Sequence, residues 1–390
     1  MRELDKMLNK LTKNSTHNFI FYKSYFPKKF LLKLFYKMGQ IPSFYSEFDT
    51  EINYETDVSF VRPHFKKEQG ENNFEQFLYS RVFKDMPKVY LEGYKNISAY
   101  CNSLSNVKVI FTANGHIANE VFKVWTAKQV NNGAQLILSE HGGGLVSAMR
   151  SFNHEEKICD KKITWYTETN NKHVKLSPNI LLNKRIKRKY NNQILFVGSD
   201  STRYSLRVKS GSISSLGFGD FKQKVNFINL LNKKTLGVFK IRSYDMTDNQ
   251  GLLIKNRYAE LYGKKIISLK KKMVQDFETS KLIICTYPQT TFLEAMHSGI
   301  PTVLLYKEEY WDTHQAFDKL IAVLKKAKIV HSDPVKAAKH INYISNNPDI
   351  WWNLPETIKA RSMFFNMCGT IADDPLSEWV NFFKTIKLKQ

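Results

Sequence analysis

Residues 285–305, CTYPQTTFLEAMHSGIPTVLL, constrain the fold of this chain more than any other stretch. Leu282 to Cys285 is an unbroken apolar run, the signature of an internal parallel strand, and Pro288 places a turn directly after it. Thr290 or Thr291 is positioned to cap a helix, with Glu294 three or four residues on as the reciprocal partner. Gly299 and Pro301 end that helix, and Thr302 to Tyr306 extends again. Strand, hydroxyl-rich turn, helix and strand in succession are how an α/β domain holds small polar groups and helix N-terminal N–H donors where a phosphate can sit. An ordinary βαβ turn with a capped helix and no ligand gives the same pattern.

The chain has 390 residues, more than one core usually organises, so two domains are expected. Its 27 Phe and 19 Tyr exclude a disordered protein and supply both cores. A formal charge of +23 implies an anionic partner, whether nucleic acid, an acidic membrane surface or a phosphorylated substrate. Stretches of 18 or more apolar residues are absent, and Met1 to Asn14 is too polar for a signal peptide. The expectation is a cytoplasmic protein, free or peripheral on the inner face of the membrane. Cys101, Cys159, Cys285 and Cys368 form no CxxC pair or zinc spacing and read as reduced, mostly buried thiols.

Between residues 15 and 40, aromatic and leucine side chains from Phe19 to Tyr36 alternate with five lysines. From Pro27 onward this reads as a basic amphipathic helix, which either lies on an anionic bilayer or packs its aromatic face inside the protein. Residues 70–105 read as largely helical, with Phe74, Phe77, Leu78 and Val82 at helical offsets before Pro87 interrupts. Strands are expected at 107–112 and 134–139, ending in Asn114-Gly-His116 and in Glu140-His141-Gly-Gly-Gly144, with a further strand at 162–166. Two neighbouring strands that end in polar, glycine-rich turns put a ligand site at their C-terminal edge. The basic, aperiodic residues 179–192 mark a boundary, after which strands follow at 193–198, 236–242 and 265–269. The organisation read from this is a first domain over 1–180 carrying the basic aromatic segment, a second over 190–350, and a C-terminal helical segment over 351–390 that packs across both.

Several residues fit chemistry. His141 follows a strand and precedes three glycines, which admit close backbone approach; it can serve as a base or hold a phosphate, or else fill a domain interface. Glu140 can orient it or cap the turn, and His116 can line the same cleft. Arg242 ends a strand where a cation meets a diphosphate or sugar carboxylate, and Arg203 and Arg207 can do the same from the loop after Val197, near the carboxylate of Asp200. His314 lies beyond the last strand, within reach of a nucleotide. HExxH, a Walker-type phosphate loop and the GxGxxG fingerprint are all missing, and HGGG without GxSxG argues against an esterase.

Thr290-Thr291-Phe-Leu-Glu294-Ala295, followed by Gly299-Ile-Pro301, resembles the Ser/Thr turn, Glu-Ala and Gly-x-Pro pattern of the donor domain in GT-B glycosyltransferases. Glu140-His141-Gly142 is similar to the Glu-His-Gly that ends an N-domain strand in transferases of bacterial surface-carbohydrate clusters, including those using cytidine-activated acidic sugars of the Kdo or nonulosonic type. The resemblance covers roughly residues 105–350. It implies an α/β fold of two facing Rossmann-like domains with a cleft between them, and transfer of a sugar, a CMP-activated one being favoured, without an obligatory metal or other cofactor. It implies donor phosphate on Thr290 and Thr291, Glu294 near the ribose or capping the helix, and His141 facing the reaction centre; in the mechanism that follows Arg242 also meets the phosphate and His141 is the base, with Glu140 or Asp200 as fallback. The acceptor would be a glycan or lipid-linked glycan. Where retaining relatives carry a second Glu, this chain has Cys285-Thr-Tyr-Pro-Gln289, so inversion or retention is left open. A nucleotide-sugar epimerase or hydrolase and a basic membrane- or nucleic-acid-binding protein are the competing readings, the last without any short nucleic-acid recognition signature.

Overall fold

Phe19 and Phe21 pack into one apolar cluster while Ile20 and Tyr22 between them pack into another, so the strand Phe19–Tyr22 (β1) is buried on both faces. In the computed structural model, the described residues are 18–42, 48, 62, 71–143, 145, 154–166, 170–182, 186–189, 192–200, 214–244, 251–311, 313 and 315–386. β1 pairs in parallel with Val109–Thr112 (β2), followed in order by Gln135–Ser139 (β3), Lys161–Thr164 (β4) and His173–Lys175 (β5). The sequence reading misses β1 because its four-residue apolar run passes directly into the aromatic, lysine-rich stretch that carries the helix signal.

The second parallel sheet runs in the order β10, β9, β8, β6, β7, from Gln193–Ser199 (β6), Phe239–Tyr244 (β7), Ser280–Cys285 (β8), Thr302–Leu305 (β9) and Val330–His331 (β10). The chain leaves β6 toward β7 and then returns to the other side of β6 for β8. That reversal is a topological switch, which opens a crevice beyond the C-terminal ends of β6 and β8. Thr286, at the end of β8, closes its floor by donating both its N–H and its hydroxyl to the Val197 carbonyl of β6, at 3.1 and 3.0 Å. The strand expected at 265–269 is instead a turn of 3-10 helix, Lys264–Ile266, followed by one bridge from Ile267 to Ile241. Gly263, at φ 84°, ends the preceding helix so close to this segment that little of it remains to pair.

One face of the first sheet is covered by the helix Lys28–Lys37, through Phe30, Leu31, Leu34 and Phe35, and by the helix Pro375–Thr385, through Trp379, Val380, Phe382 and Phe383. Each such side chain contributes about 1.5–3 kcal/mol by leaving water. The aromatic face of the helix Lys28–Lys37 is therefore internal, and Lys28, Lys29, Leu32, Lys33, Tyr36 and Lys37 face out. On the segment 70–105, helices Asn73–Asp85 and Tyr94–Asn102 flank the break at Pro87, but Phe74, Phe77 and Leu78 are exposed. The helix Pro355–Met367 belongs to the second core through Ala360 and Phe364, and the chain then crosses back. Gly369 N–H donates to the Trp165 carbonyl at 2.6 Å, and Trp379 Nε1 donates to the Ser177 carbonyl at 3.1 Å. The molecule is thus two facing Rossmann-like domains with a cleft between them.

The half-buried His297 and His331 and the buried His340 should make the stability of the second domain sensitive to acid. Burial pushes His297 down to about 4, His331 to about 4 and His340 to about 3, and His331 Nε2 lies 3.1 Å from His340 Nδ1. A histidine held neutral in the fold contributes stability that is present above its unfolded pKa of about 6.5 and lost as pH falls toward the folded value. The limiting slope is about 1.4 kcal/mol per pH unit for each histidine that only the unfolded chain protonates. The urea midpoint should therefore drop between pH 7 and pH 5; an unchanged midpoint would show that these rings are hydrated and free to charge.

Candidate functional site

The two sequence motifs meet across the cleft. Residues 140–143 and 145 lie between the C-terminal end of β3 and the turn that follows β8. There the Gly143 N–H donates to Thr290 Oγ1 at 2.8 Å, and the Leu145 N–H donates to the Pro288 carbonyl at 3.1 Å. Leu145 itself is fully buried in the core of the second domain. The bare backbone at Gly142 has a steric reason: a Cβ there would stand 2.8 Å from Thr290 Oγ1. Gly143, at φ 133°, occupies backbone that side-chain-bearing residues rarely adopt.

The helix after the turn starts at Thr290, and its N-cap is Gln289, with no side-chain cap bond. Neither threonine caps it, contrary to the sequence expectation, because both already lie inside the first turn. Thr290 Oγ1 accepts the Gly143 N–H, while Thr291 Oγ1 lies 2.7 Å from the Tyr287 hydroxyl, whose ring stacks on Trp311. The first N–H groups of this helix have no intrahelical acceptor and carry the positive end of its dipole. Glu294 is half-buried one turn on, close enough to Cys285 that its charge, after burial, helps hold that thiol far above the usual range.

On the first-domain side, His141 is half-buried, with its ring centroid 6.4 Å from that of Tyr25. Glu140 turns inward. It is 8 % exposed, and its carboxylate lies 3.9 Å from Lys162 Nζ, which is also 3.2 Å from Glu155 and 4.0 Å from Glu156. His116 and His173 complete the cluster, each with Nε2 3.0 Å from Glu155 and Glu156 respectively. His116 is thus committed to the interior of the first domain. Burial by itself would raise Glu155, but the hydrogen bond from His116 and the charge of Lys162 hold it at about 2. Nothing in the sequence reading singled out Lys162, Glu155, Glu156 or His173. The available signal was a lysine within an apolar strand, Lys162-Ile-Thr-Trp, preceded by the charged pair Glu155-Glu156.

The remaining candidates sit on the second sheet. Asp200, just past β6, accepts the Leu252 and Leu253 N–H groups at 3.0 and 3.1 Å and so ties the end of the strand to the start of the helix Ile254–Tyr262. Arg242 donates to Asp276 at 2.6 Å and to the Lys270 carbonyl at 2.8 Å, which anchors its guanidinium within its own domain. Arg203 and His314 lie outside the described residues. Among the described residues, no group of three His, Cys, Asp or Glu could hold a metal ion, and no helix is long and apolar enough to cross a membrane.

Two parallel sheets facing each other across a cleft, with a histidine-bearing loop of one domain seated on a helix N-terminus of the other, define the GT-B class of architecture. The profile of the LIC12162 family transferases matches residues 1–383, and the chain belongs to that family. Among solved structures it is similar to MurG of Acinetobacter baumannii, at 14 % identity over 95 % of this chain and 100 % of that one, with a TM-score of 0.44. It is also similar to CalG4, the calicheamicin glycosyltransferase, at 8 % identity over 94 % and 98 % of the two chains (TM-score 0.41). The wall teichoic acid polymerase TagF follows at 10 % identity over 74 % and 83 % (TM-score 0.35). No curated protein matches the chain.

Proposed function

We propose that this protein transfers a glycosyl group from a nucleotide-sugar donor to a hydroxyl of a bacterial surface-glycan acceptor, free or lipid-linked. The observation that carries the reading is the Gly143 N–H to Thr290 Oγ1 contact, two residues after His141 and at the helix N-terminus that the sequence motif marks for phosphate. In this reading residues 190–350 hold the donor and residues 1–180 the acceptor, with 351–390 joining them. The leaving phosphate is stabilised by the N–H donors of Thr290 and Thr291 and by the Thr290 hydroxyl, with Arg203 and His314 as further contacts. His141 takes the proton of the acceptor hydroxyl. Glu140 and Asp200, both engaged elsewhere, are the less suited bases. Closure of the cleft excludes the water that would otherwise hydrolyse the donor.

The charge of +23 favours a donor that carries a carboxylate beside its phosphate, which is the case for a CMP-activated acidic sugar. The outward Lys28, Lys29, Lys33 and Lys37 suit an anionic membrane surface on the acceptor side. Thermal stabilisation by CMP, CDP, UDP and GDP tests the donor site. One nucleotide should raise the melting temperature, and Thr290→Val should weaken its binding by about tenfold, the worth of one hydrogen bond to a charged group. Absence of any shift with all four would sink the donor site. Donor consumed at full rate without acceptor would make the protein a hydrolase or epimerase instead.

A further inference from the structure

Tyr25 stands in a backbone conformation that tyrosine rarely adopts, at the rim of the cleft and next to the candidate base. Its φ is 59° and that of Lys23 is 43°, two of the four positive values at non-glycine positions among the described residues. The two residues before Tyr25 are pinned: the Ala113 N–H donates to the Lys23 carbonyl at 3.2 Å, and the buried Asn179 Nδ2 donates to the Ser24 carbonyl at 2.6 Å. Strain of this kind persists only where the surroundings enforce it, and it gathers at functional positions. Glycine would satisfy the backbone without strain, yet the chain carries an aromatic ring that is 42 % exposed. That ring borders His141, and its hydroxyl accepts from Asn114 Nδ2 at 2.9 Å. The other amide atom of this side chain, Asn114 Oδ1, is buried without a hydrogen-bond partner. Tyr25, Asn114 and His141 thus converge from the ends of β1, β2 and β3.

We infer that Tyr25 is the platform on which a sugar ring of the acceptor stacks, with Asn114 and His141 as its polar partners. An aromatic face flanked by an amide and an imidazole matches a ligand that has an apolar C–H face and a hydroxyl rim. Calling that sugar the acceptor rests on the transferase reading; the binding of a sugar does not.

The probes are methyl β-D-glucoside, methyl β-D-galactoside and methyl N-acetyl-β-D-glucosaminide, followed by saturation-transfer-difference NMR on the full chain, on Tyr25→Gly and on Tyr25→Phe. At least one glycoside should bind the parent protein and Tyr25→Phe and bind Tyr25→Gly about tenfold more weakly. Relief of the positive φ offsets the greater freedom of glycine in the unfolded chain and the loss of the partly buried ring, so Tyr25→Gly should stay folded and melt close to the parent. Failure of every glycoside to bind, equal binding to Tyr25→Gly, or a loss of binding that comes only with unfolding of the variant would overturn the inference. The nucleotide panel on the same three proteins separates the two readings. Tyr25-dependent glycoside binding without any nucleotide shift removes the transferase and leaves the subsite. A nucleotide shift with Tyr25-independent glycoside binding does the reverse, and a nucleotide shift lost in Tyr25→Gly would make the ring a base-stacking platform and overturn the proposal.

Discussion

Lys162→Met should lower the unfolding free energy by about 3–5 kcal/mol at pH 7, the cost of removing one partner from a buried charge cluster. Lys162 is 3 % exposed and stands within 4.0 Å of Glu140, Glu155 and Glu156. Methionine fills the same volume but leaves the carboxylates facing one another without their cation, so their repulsion and desolvation are no longer offset. The pH dependence makes the cause visible. Glu155, held at about 2, contributes stability that is present above its unfolded pKa near 4.5 and is lost as pH falls toward 2. Without Lys162 its pKa should rise, so the gap between variant and parent should narrow from pH 7 to pH 3. Urea unfolding at both values measures this, and a variant within about 1 kcal/mol of the parent at pH 7 would show that water already shields the cluster. Because Glu140 opens the loop that carries His141 to the cleft, transfer should fall along with stability.

If the proposed transfer runs at this cleft, Gly142→Ala should reduce its kcat/KM by about a hundredfold while leaving the fold intact. The added Cβ would sit 2.8 Å from Thr290 Oγ1, closer than real contacts allow, and Thr290 cannot simply turn away without giving up the Gly143 N–H. The loop and the turn must separate, and a displacement of about 1 Å between groups that act together is enough for a loss of this size. Neither core loses a side chain, so the melting temperature should change little. Activity within twofold of the parent would show that the contact between residues 142–143 and Thr290 is not kept during turnover.

How much of this was legible beforehand depends on how local each signal is. Residues 282–305 announce strand, turn, helix and strand through an apolar run and the punctuation of Pro288, Gly299 and Pro301, all read within a few residues of one another. The helix Lys28–Lys37 was legible for the same reason, but whether its aromatic face met lipid or protein was not. Trp379 and Phe383 decide that, from the far end of the chain. The cap of the helix Thr290–His297 was misread because threonine is the better cap by type, whereas the N-cap position falls on Gln289, which makes no side-chain cap bond. Lys162 was missed because a lysine near the start of a strand reads as solvated until Glu155 and Glu156 are folded over it.

By itself the sequence determined the α/β class, the need for two cores and the two polar turns, since hydrophobic periodicity and turn chemistry act between near neighbours. The tertiary structure alone decided that Gly143 and Thr290, 147 residues apart, share a hydrogen bond, that Arg242 belongs to Asp276, and that Tyr25 stands beside His141. Those pairings arise from the way two sheets pack and face each other, and side chains brought together by packing leave no periodic trace along the chain.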